Sequence, residues 1–337
     1  MALIKNKEMK KRNYLFLMIT LIVMINCSTE EQINSQPSII KNITYNIDYP
    51  NITFNWDKSI DPDGDNVKYL VSIVNWTDAG NMNDYILEVY PKDPTYETNV
   101  NSLTIELNEI GVLNNSLQKY TIFVFAVEDD FTDYSLLYSE LGNFSENYFL
   151  NNYLTFIPLS KGVHKGNLII TDHIHLEWLK DSEIHTLNGD LILNSYCTTE
   201  SFHPYKINNL KNLKGLKTIN GNLIIGLERG YGNTINQELA ERYNCHRLGN
   251  NFSFNDLEGL EDLVNINGDL LVAGTSIKNL NDFKSLVKVE GKIGFYNNLD
   301  LKNFCGLTDL FKLNNFEIYN NGYNPNLNDF SNGNCNN

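Results

Sequence analysis

The sequence predicts a mainly β protein in two parts, a β-sandwich followed by a β-solenoid. Three observations predict it. Between residues 38 and 145, short runs rich in β-branched and aromatic residues alternate apolar with polar positions, and turn residues separate them. Between residues 160 and 320, a Gly-x-apolar-apolar-apolar pattern recurs with a base period of 23 residues. The chain of 337 residues is 42% hydrophobic and 12% aromatic, enough apolar surface to build two or three cores.

The N-terminus reads as an address. Lys5, Lys7, Lys10, Lys11 and Arg12 precede an apolar run from Tyr14 to Ile25. About a dozen apolar residues are too few to cross about 30 Å of hydrocarbon but suit a signal-peptide core. The run ends at Asn26-Cys27-Ser28. A Cys directly after the apolar core resembles a bacterial lipobox. That resemblance implies a lipoprotein signal peptide over 1–26 and a diacylglyceryl group on Cys27; an ordinary secretory signal is the alternative. Ser28-Thr29-Glu30-Glu31 resembles the short acidic signal that sends some lipoproteins to the outer face of the outer membrane. Residues 27–37 then form the acylated Cys and a polar tether. The expected location is the outer membrane, lipid-anchored and facing the cell exterior.

In residues 38–145, Ile52, Phe54 and Trp56 share one face of a first clear strand. Val67 to Trp76, Tyr85 to Tyr90, Leu103 to Leu107 and Tyr120 to Ala126 follow, with further strands expected at either end. Trp56, the turn Asp61-Pro62-Asp63-Gly64-Asp65, Tyr69, and Leu113 before Tyr120 resemble a fibronectin type III domain. The resemblance implies an immunoglobulin-like sandwich of about seven strands, a fold used as a spacer or binding platform. Asp61, Asp63 and Asp65, with Asp129, Asp130 and Asp133 in a second loop at the same end, would offer hard oxygen ligands. Such ligands could hold calcium; the spacing is not that of an EF-hand, and a solvated Asp/Pro/Gly turn is the alternative.

Residues 146–337 carry the repeat. Gly166, Gly189, Gly221, Gly268 and Gly291 each open a strand-like motif. Upstream of the later motifs an apolar residue comes every third position, as in Leu257, Leu260, Leu263 and Ile266. A unit this short cannot bury its own apolar edge, so stacked coils must share a core, each supplying one strand to a parallel sheet. The glycine suits a tight corner or a positive φ. The pattern resembles leucine-rich repeats, and more closely the receptor L-domain type, to which Asn303-Phe304-Cys305-Gly306-Leu307 also bears a likeness. The resemblance implies a right-handed solenoid used for recognition.

Strand alternation assigns faces. Positions two and four after each Gly point inward. Position three points outward, which stacks Ile169, Ile192, Ile224, Leu271 and Gly294 in one column. Four large aliphatics in an outward column either bind a partner or are covered by another part of the chain. The next column runs Thr171, Asn194, Gly226, Ala273 and Tyr296, with Tyr319 on the last coil. The candidate binding face is therefore Ile169, Ile192, Ile224, Leu271 and Tyr296. Two insertions, 196–208 and 227–253, each carry one Cys, and Gln237 to Tyr243 reads as a short helix. In an exported chain the disulfide candidates are Cys197, Cys245, Cys305 and Cys335. Four Cys allow three pairings; Cys305 with Cys335 and Cys197 with Cys245 are favoured.

Composition excludes more than it selects. With 26 basic and 41 acidic residues the net charge is −15, which opposes nucleic-acid binding. The 53 Asn suit turns and left-handed backbone positions. His173 and His175 would share a face if their segment were extended, but no spaced Cys/His motif accompanies them, and no nucleophile elbow, zinc-protease helix or phosphate loop is found. The expectation is a non-enzymatic surface lipoprotein, without a cofactor unless calcium binds, that recognises or adheres to a protein or glycan through the solenoid. The alternatives are a structural or accessory subunit of an outer-membrane complex and a polysaccharide-processing protein.

Overall fold

The computed structural model describes residues 34–76, 95–112, 116–132, 152–171, 173–193, 207, 209–226, 254–313 and 316–337. The protein is mainly β, with antiparallel sheets in its N-terminal part and parallel sheets in its C-terminal part.

The antiparallel part has seven strands among the described residues: β1 (Thr44–Asp48), β2 (Asn51–Asn55), β3 (Val67–Trp76), β4 (Tyr96–Thr98), β5 (Ser102–Glu106), β6 (Lys119–Glu128) and β7 (Tyr153–Phe156). They form two sheets, ordered β1-β2-β5 and β4-β3-β6-β7. Alternation does the local work. In β2, Ile52 and Phe54 are buried while Asn51, Thr53 and Asn55 are not. Those two join Ile105 from the same sheet and Tyr69, Val71, Tyr120, Ile122, Val124 and Phe156 from the other in one apolar core. Trp56 closes the core edge-on to Tyr69, with ring centroids 5.4 Å apart.

Two features differ from the sequence reading. β7 lies beyond residue 145 and pairs with β6, so the first unit runs past the boundary drawn there. The four-stranded sheet is also buried on its second face. Leu70, Phe123, Phe125 and Val127 are buried yet stand outside the core between the sheets. The expected strand Tyr85–Tyr90, and Leu113, lie outside the described residues.

In the parallel part each of the five glycine-led repeats supplies two strands rather than the one expected, and the last coil supplies one. The elements, in order, are β8 (Val163–Lys165), β9 (Leu168–Ile170), α1 (His173–Leu179), β10 (Thr186–Asn188), β11 (Leu191–Leu193), β12 (Thr218–Ile219), β13 (Leu223–Ile225), β14 (Asn265–Ile266), β15 (Leu270–Ala273), β16 (Lys288–Val289), β17 (Ile293–Tyr296), α2 (Thr308–Leu313), β18 (Phe316–Tyr319) and α3 (Leu327–Ser331). One parallel sheet runs β9-β11-β13-β15-β17-β18 and the other β8-β10-β12-β14-β16. Register is strict: Leu168, Leu191, Leu223, Leu270, Ile293 and Phe316 are successive partners. All ten residues expected to point inward belong to one core, with Leu210, Leu213, Leu257, Leu260, Leu280 and Phe283 from the every-third-residue runs. Several of those runs form 3-10 turns, whose period of three explains the spacing.

The repeated glycines are required by close approach more than by φ. Of the five, only Gly166 has a positive φ, 122°. A Cβ on Gly189 would collide with the carbonyl of Gly166, and one on Gly221, Gly268 or Gly291 would collide with the glycine one repeat earlier. The residue after each glycine then bonds the coils together. Asn167 Oδ1 accepts the backbone N–H of Asp190 at 2.8 Å, Asp190 that of Asn222 at 2.6 Å, Asn222 that of Asp269 at 2.8 Å, and Asp269 that of Lys292 at 2.7 Å. Asn188, Asn220 and Asn267, each just before a repeat glycine, form a second side-chain ladder. At the corner after the strands, Gly226, Gly274, Asn297 and Asn320 all take positive φ between 52° and 64°. Beside that corner Asn298 is fully buried. Its Oδ1 accepts from Thr275 N and Oγ1, and its Nδ2 donates to Val272 O and Asn321 Oδ1.

Both ends of the stack are closed. At the C-terminal end a Cys305–Cys335 disulfide ties the last residues to the coil before, and Phe330 of α3 stacks on Phe311 at 4.4 Å. At the other end Ser116 N donates to Asn167 O at 2.9 Å and Leu117 joins the core of the stack. The same junction places Lys119 Nζ 5.4 Å from the Trp178 ring and Lys165 Nζ 4.0 Å from the Tyr49 ring.

Candidate functional site

The aliphatic column is not an exposed face. Ile169, Ile192, Ile224 and Leu271 are only 0–6% exposed. Their outward direction follows the strand alternation as expected, and they belong to neither apolar core, yet they are closed off from solvent. As contacts for a partner these four are withdrawn. The fifth member, Tyr296, is half-buried and differently placed.

The column changes character at β17, where the aliphatic position becomes Gly294 and then Glu317 on β18. Tyr296 folds back over that glycine: a Cβ on Gly294 would meet Tyr296 Cε2, Oη and Cζ at 2.5–2.8 Å. The hydroxyl of Tyr296 donates to Glu317 Oε2 at 2.9 Å, and Lys292 Nζ reaches the same oxygen at 2.7 Å. Lys292 Nζ also lies 5.6 Å from the Tyr296 ring centroid. Tyr319, the register partner of Tyr296, is 56% exposed beside it. Two tyrosines therefore share a face with a carboxylate–ammonium pair at their edge.

The electrostatics follow from that pair. The hydrogen-bonded ammonium of Lys292 holds the Glu317 carboxyl below its usual range, with partial burial opposing. Partial burial draws the Lys292 ammonium down, but its bonds to Glu317 and Tyr296 leave it raised overall. Burial raises the Tyr296 phenol, which keeps its proton and donates. Tyr296 was visible in the sequence as an aromatic end to a column of small residues. Lys292 and Glu317 were missed. Their signal was a break in pattern: Lys after the glycine where Asn or Asp stood before, and Glu where an aliphatic stood.

The acidic loops form no comparable centre. Asp61 is buried, and its Oδ1 accepts from Asp63 N at 2.8 Å and Asp65 N at 3.4 Å. Asp63 Oδ2 accepts from Ser35 N at 2.5 Å. Asp129 N donates to Asn66 O, which brings the two loops side by side as expected, with Asp65, Asp129 and Asp130 exposed. Yet among the described residues no three His, Cys, Asp or Glu come together to hold a metal. Asp61 and Asp63 instead accept backbone N–H groups, from within the turn and from Ser35; Asp133 lies outside the described residues. His173 and His175 sit on helix α1, not on a strand. His164 is buried, with Nδ1 accepting from Ser160 N at 3.2 Å, and burial lowers its pKa to about 4.

Of the cysteine pairs, Cys305–Cys335 forms as favoured. Cys197, Cys245, the Gln237–Tyr243 segment and the lipidation candidate Cys27 lie outside the described residues. No helix among the described residues is long and apolar enough to cross a membrane. No family model, no curated protein and no solved structure matches this chain.

Proposed function

We propose that this protein is a non-enzymatic, lipid-anchored recognition protein of the outer membrane, with a fibronectin type III-like spacer that carries a receptor L-domain-like solenoid. One observation carries the reading, the polarity of the antiparallel part. The chain enters it where Ser35 N meets Asp63 and Asn34 Nδ2 donates to Glu128 Oε1 at 2.6 Å. Glu128 ends β6, and Lys119 at the other end of that strand faces Trp178 in the parallel stack. Ten residues of strand span about 33 Å. A lipid on Cys27 would leave six residues before Asn34, so the anchor and the stack would lie at opposite poles. That is the layout of a display device. The order β1-β2-β5 and β4-β3-β6-β7 around a Trp–Tyr core supports the fibronectin-type resemblance, and the 23-residue coils with an aromatic shelf on the outward face support recognition.

The test compares cells expressing the full chain with cells expressing the Cys27→Ala variant. The expected result is incorporation of a labelled fatty acid, and cleavage of the chain by protease added to intact cells. Both should vanish in the variant. Label incorporation that persists in the variant, or a chain protected from protease in intact cells, would remove the anchor or the outward orientation.

A further inference from the structure

The reading above leaves the ligand unnamed; resting on it, the shelf on β17 and β18 narrows the choice. We propose that Tyr296, Tyr319, Glu317 and Lys292 form a binding site for a neutral glycan of gluco configuration, taking one or two sugar units.

Size argues first. A fully buried tyrosine contributes about 150–250 Å², so two half-open rings fall short of the roughly 800 Å² per partner of a stable protein interface. They match one or two pyranose rings. Shape argues next. A pyranose with equatorial substituents presents a flat C–H face and a rim of hydroxyls. The phenol of Tyr296 lies down over Gly294, and its hydroxyl is tied to Glu317, so the ring is pinned before any ligand arrives. A pinned ring loses little conformational freedom on binding. Any larger residue at 294 would lift it off the sheet.

The rim has partners as well. Tyr296 and Lys292 both bind Glu317 Oε2. Among the described residues Oε1 accepts no hydrogen bond, and Glu317 is exposed, so Oε1 is available to a sugar hydroxyl. Lys292 keeps further N–H donors for a ring or hydroxyl oxygen. Charge settles the subclass. The ion pair is locally neutral, in a chain of net charge −15, which disfavours uronic-acid or sulfated polymers. Gluco-configured sugars carry axial hydrogens on both faces, so either face can lie on the shelf, whereas manno- and galacto-configured sugars carry an axial hydroxyl on one and offer only the other.

The test uses the full chain in detergent micelles with cellotetraose, chitotetraose and an α-linked mannotetraose, read by saturation-transfer NMR and titration. Saturable binding of a gluco-configured tetraose is expected, with Kd in the region of about 0.1–1 mM. Transfer should be strongest at the axial ring protons. The Tyr319→Ala variant, at an exposed position, should weaken binding about tenfold. Glu317→Gln, which keeps the shape but removes the charge, should weaken it several-fold. Thermal melts confirm that both variants fold. No saturation by either gluco tetraose to about 10 mM would overturn the proposal. So would binding unaffected by both variants, which places the ligand elsewhere. Sugar binding without acylation of Cys27 would sink the anchor and spare this site. Capture of a protein partner that Tyr319→Ala abolishes, with no sugar binding, would spare the recognition reading and sink this one.

Discussion

The two halves of the molecule bury similar apolar side chains but specify their registers differently. In the antiparallel sheets, register is set across each strand pair by alternation and by single cross-strand contacts such as Thr53 with Thr104. In the parallel stack it is set along columns, where the same chemistry recurs every coil: a glycine against a glycine, an Asx side chain against the next backbone N–H, an Asn beside an Asn. A column transmits an error to both neighbours, whereas a cross-strand pair confines it. The same substitution should therefore cost more in the stack than in the sheets.

The largest effect should come from Gly189→Ala. Its Cβ would press into the Gly166 carbonyl, so two coils must part, and a loss of about 4 kcal/mol or more is expected in urea unfolding. A loss below about 1 kcal/mol would show that the column yields easily. Next comes the capping disulfide. Cys305→Ser, with Cys335→Ser, opens a link across 30 residues and should cost about 3 kcal/mol, measured by denaturant midpoint. An unchanged midpoint would mean that Phe330 and α3 close the stack unaided.

The third effect depends on pH. Burial of His164 lowers its pKa to about 4 from the ordinary imidazole value of 6.5. Between those values the unfolded chain binds a proton that the folded chain refuses, so stability rises with pH across the window and is lost as pH falls through it. The span corresponds to about 3 kcal/mol. Replacing His164 with Leu should flatten that slope; parallel slopes for the two proteins would assign the acid loss to carboxylates instead. Asn298→Ala should follow at about 2–3 kcal/mol, because Thr275 and Val272 lose a buried partner. A cost under about 0.5 kcal/mol would mean that water replaces it. The smallest is Gly64→Ala, in the acidic loop of the sheets. No heavy atom lies within 4 Å of the added Cβ, and only the φ of +90° resists it, so about 1 kcal/mol is expected. A cost equal to that of Gly189→Ala would erase the contrast between the halves.

The period of the repeat was legible because every coil repeats the same residue classes, and the inward positions followed from alternation alone. The second parallel sheet was not, because strands of two residues such as Thr218–Ile219 and Lys288–Val289 are shorter than any periodic signal. Burial of Ile169, Ile192, Ile224 and Leu271 was open in the sequence for a related reason. Alternation gives a side chain its direction, while its exposure depends on what else in the chain folds over it. The limit at residue 145 failed because Tyr153–Phe156 is a short edge strand whose pairing with β6 is non-local. At the shelf, Tyr296 stood out as an aromatic, but Lys292 and Glu317 acquire meaning only once two strands bring them to one oxygen.

The asparagine ladder also bears on how the protein ages. Asn188, Asn220 and Asn267 each precede a glycine, the sequence in which an asparagine side chain loses its amide most readily because the following backbone nitrogen attacks it. In the folded stack the Asn220 and Asn267 amides donate to the residue one coil earlier, just after strands β12 and β14, which ties up the groups that would react. The fold thus shelters its own weakest bonds. Each excursion into the unfolded chain exposes them. A single conversion to Asp removes an amide donor from the ladder and adds a carboxylate to an already acidic chain, which makes the next excursion easier. The working lifetime of such a molecule is then set by how seldom it opens as much as by how tightly it folds.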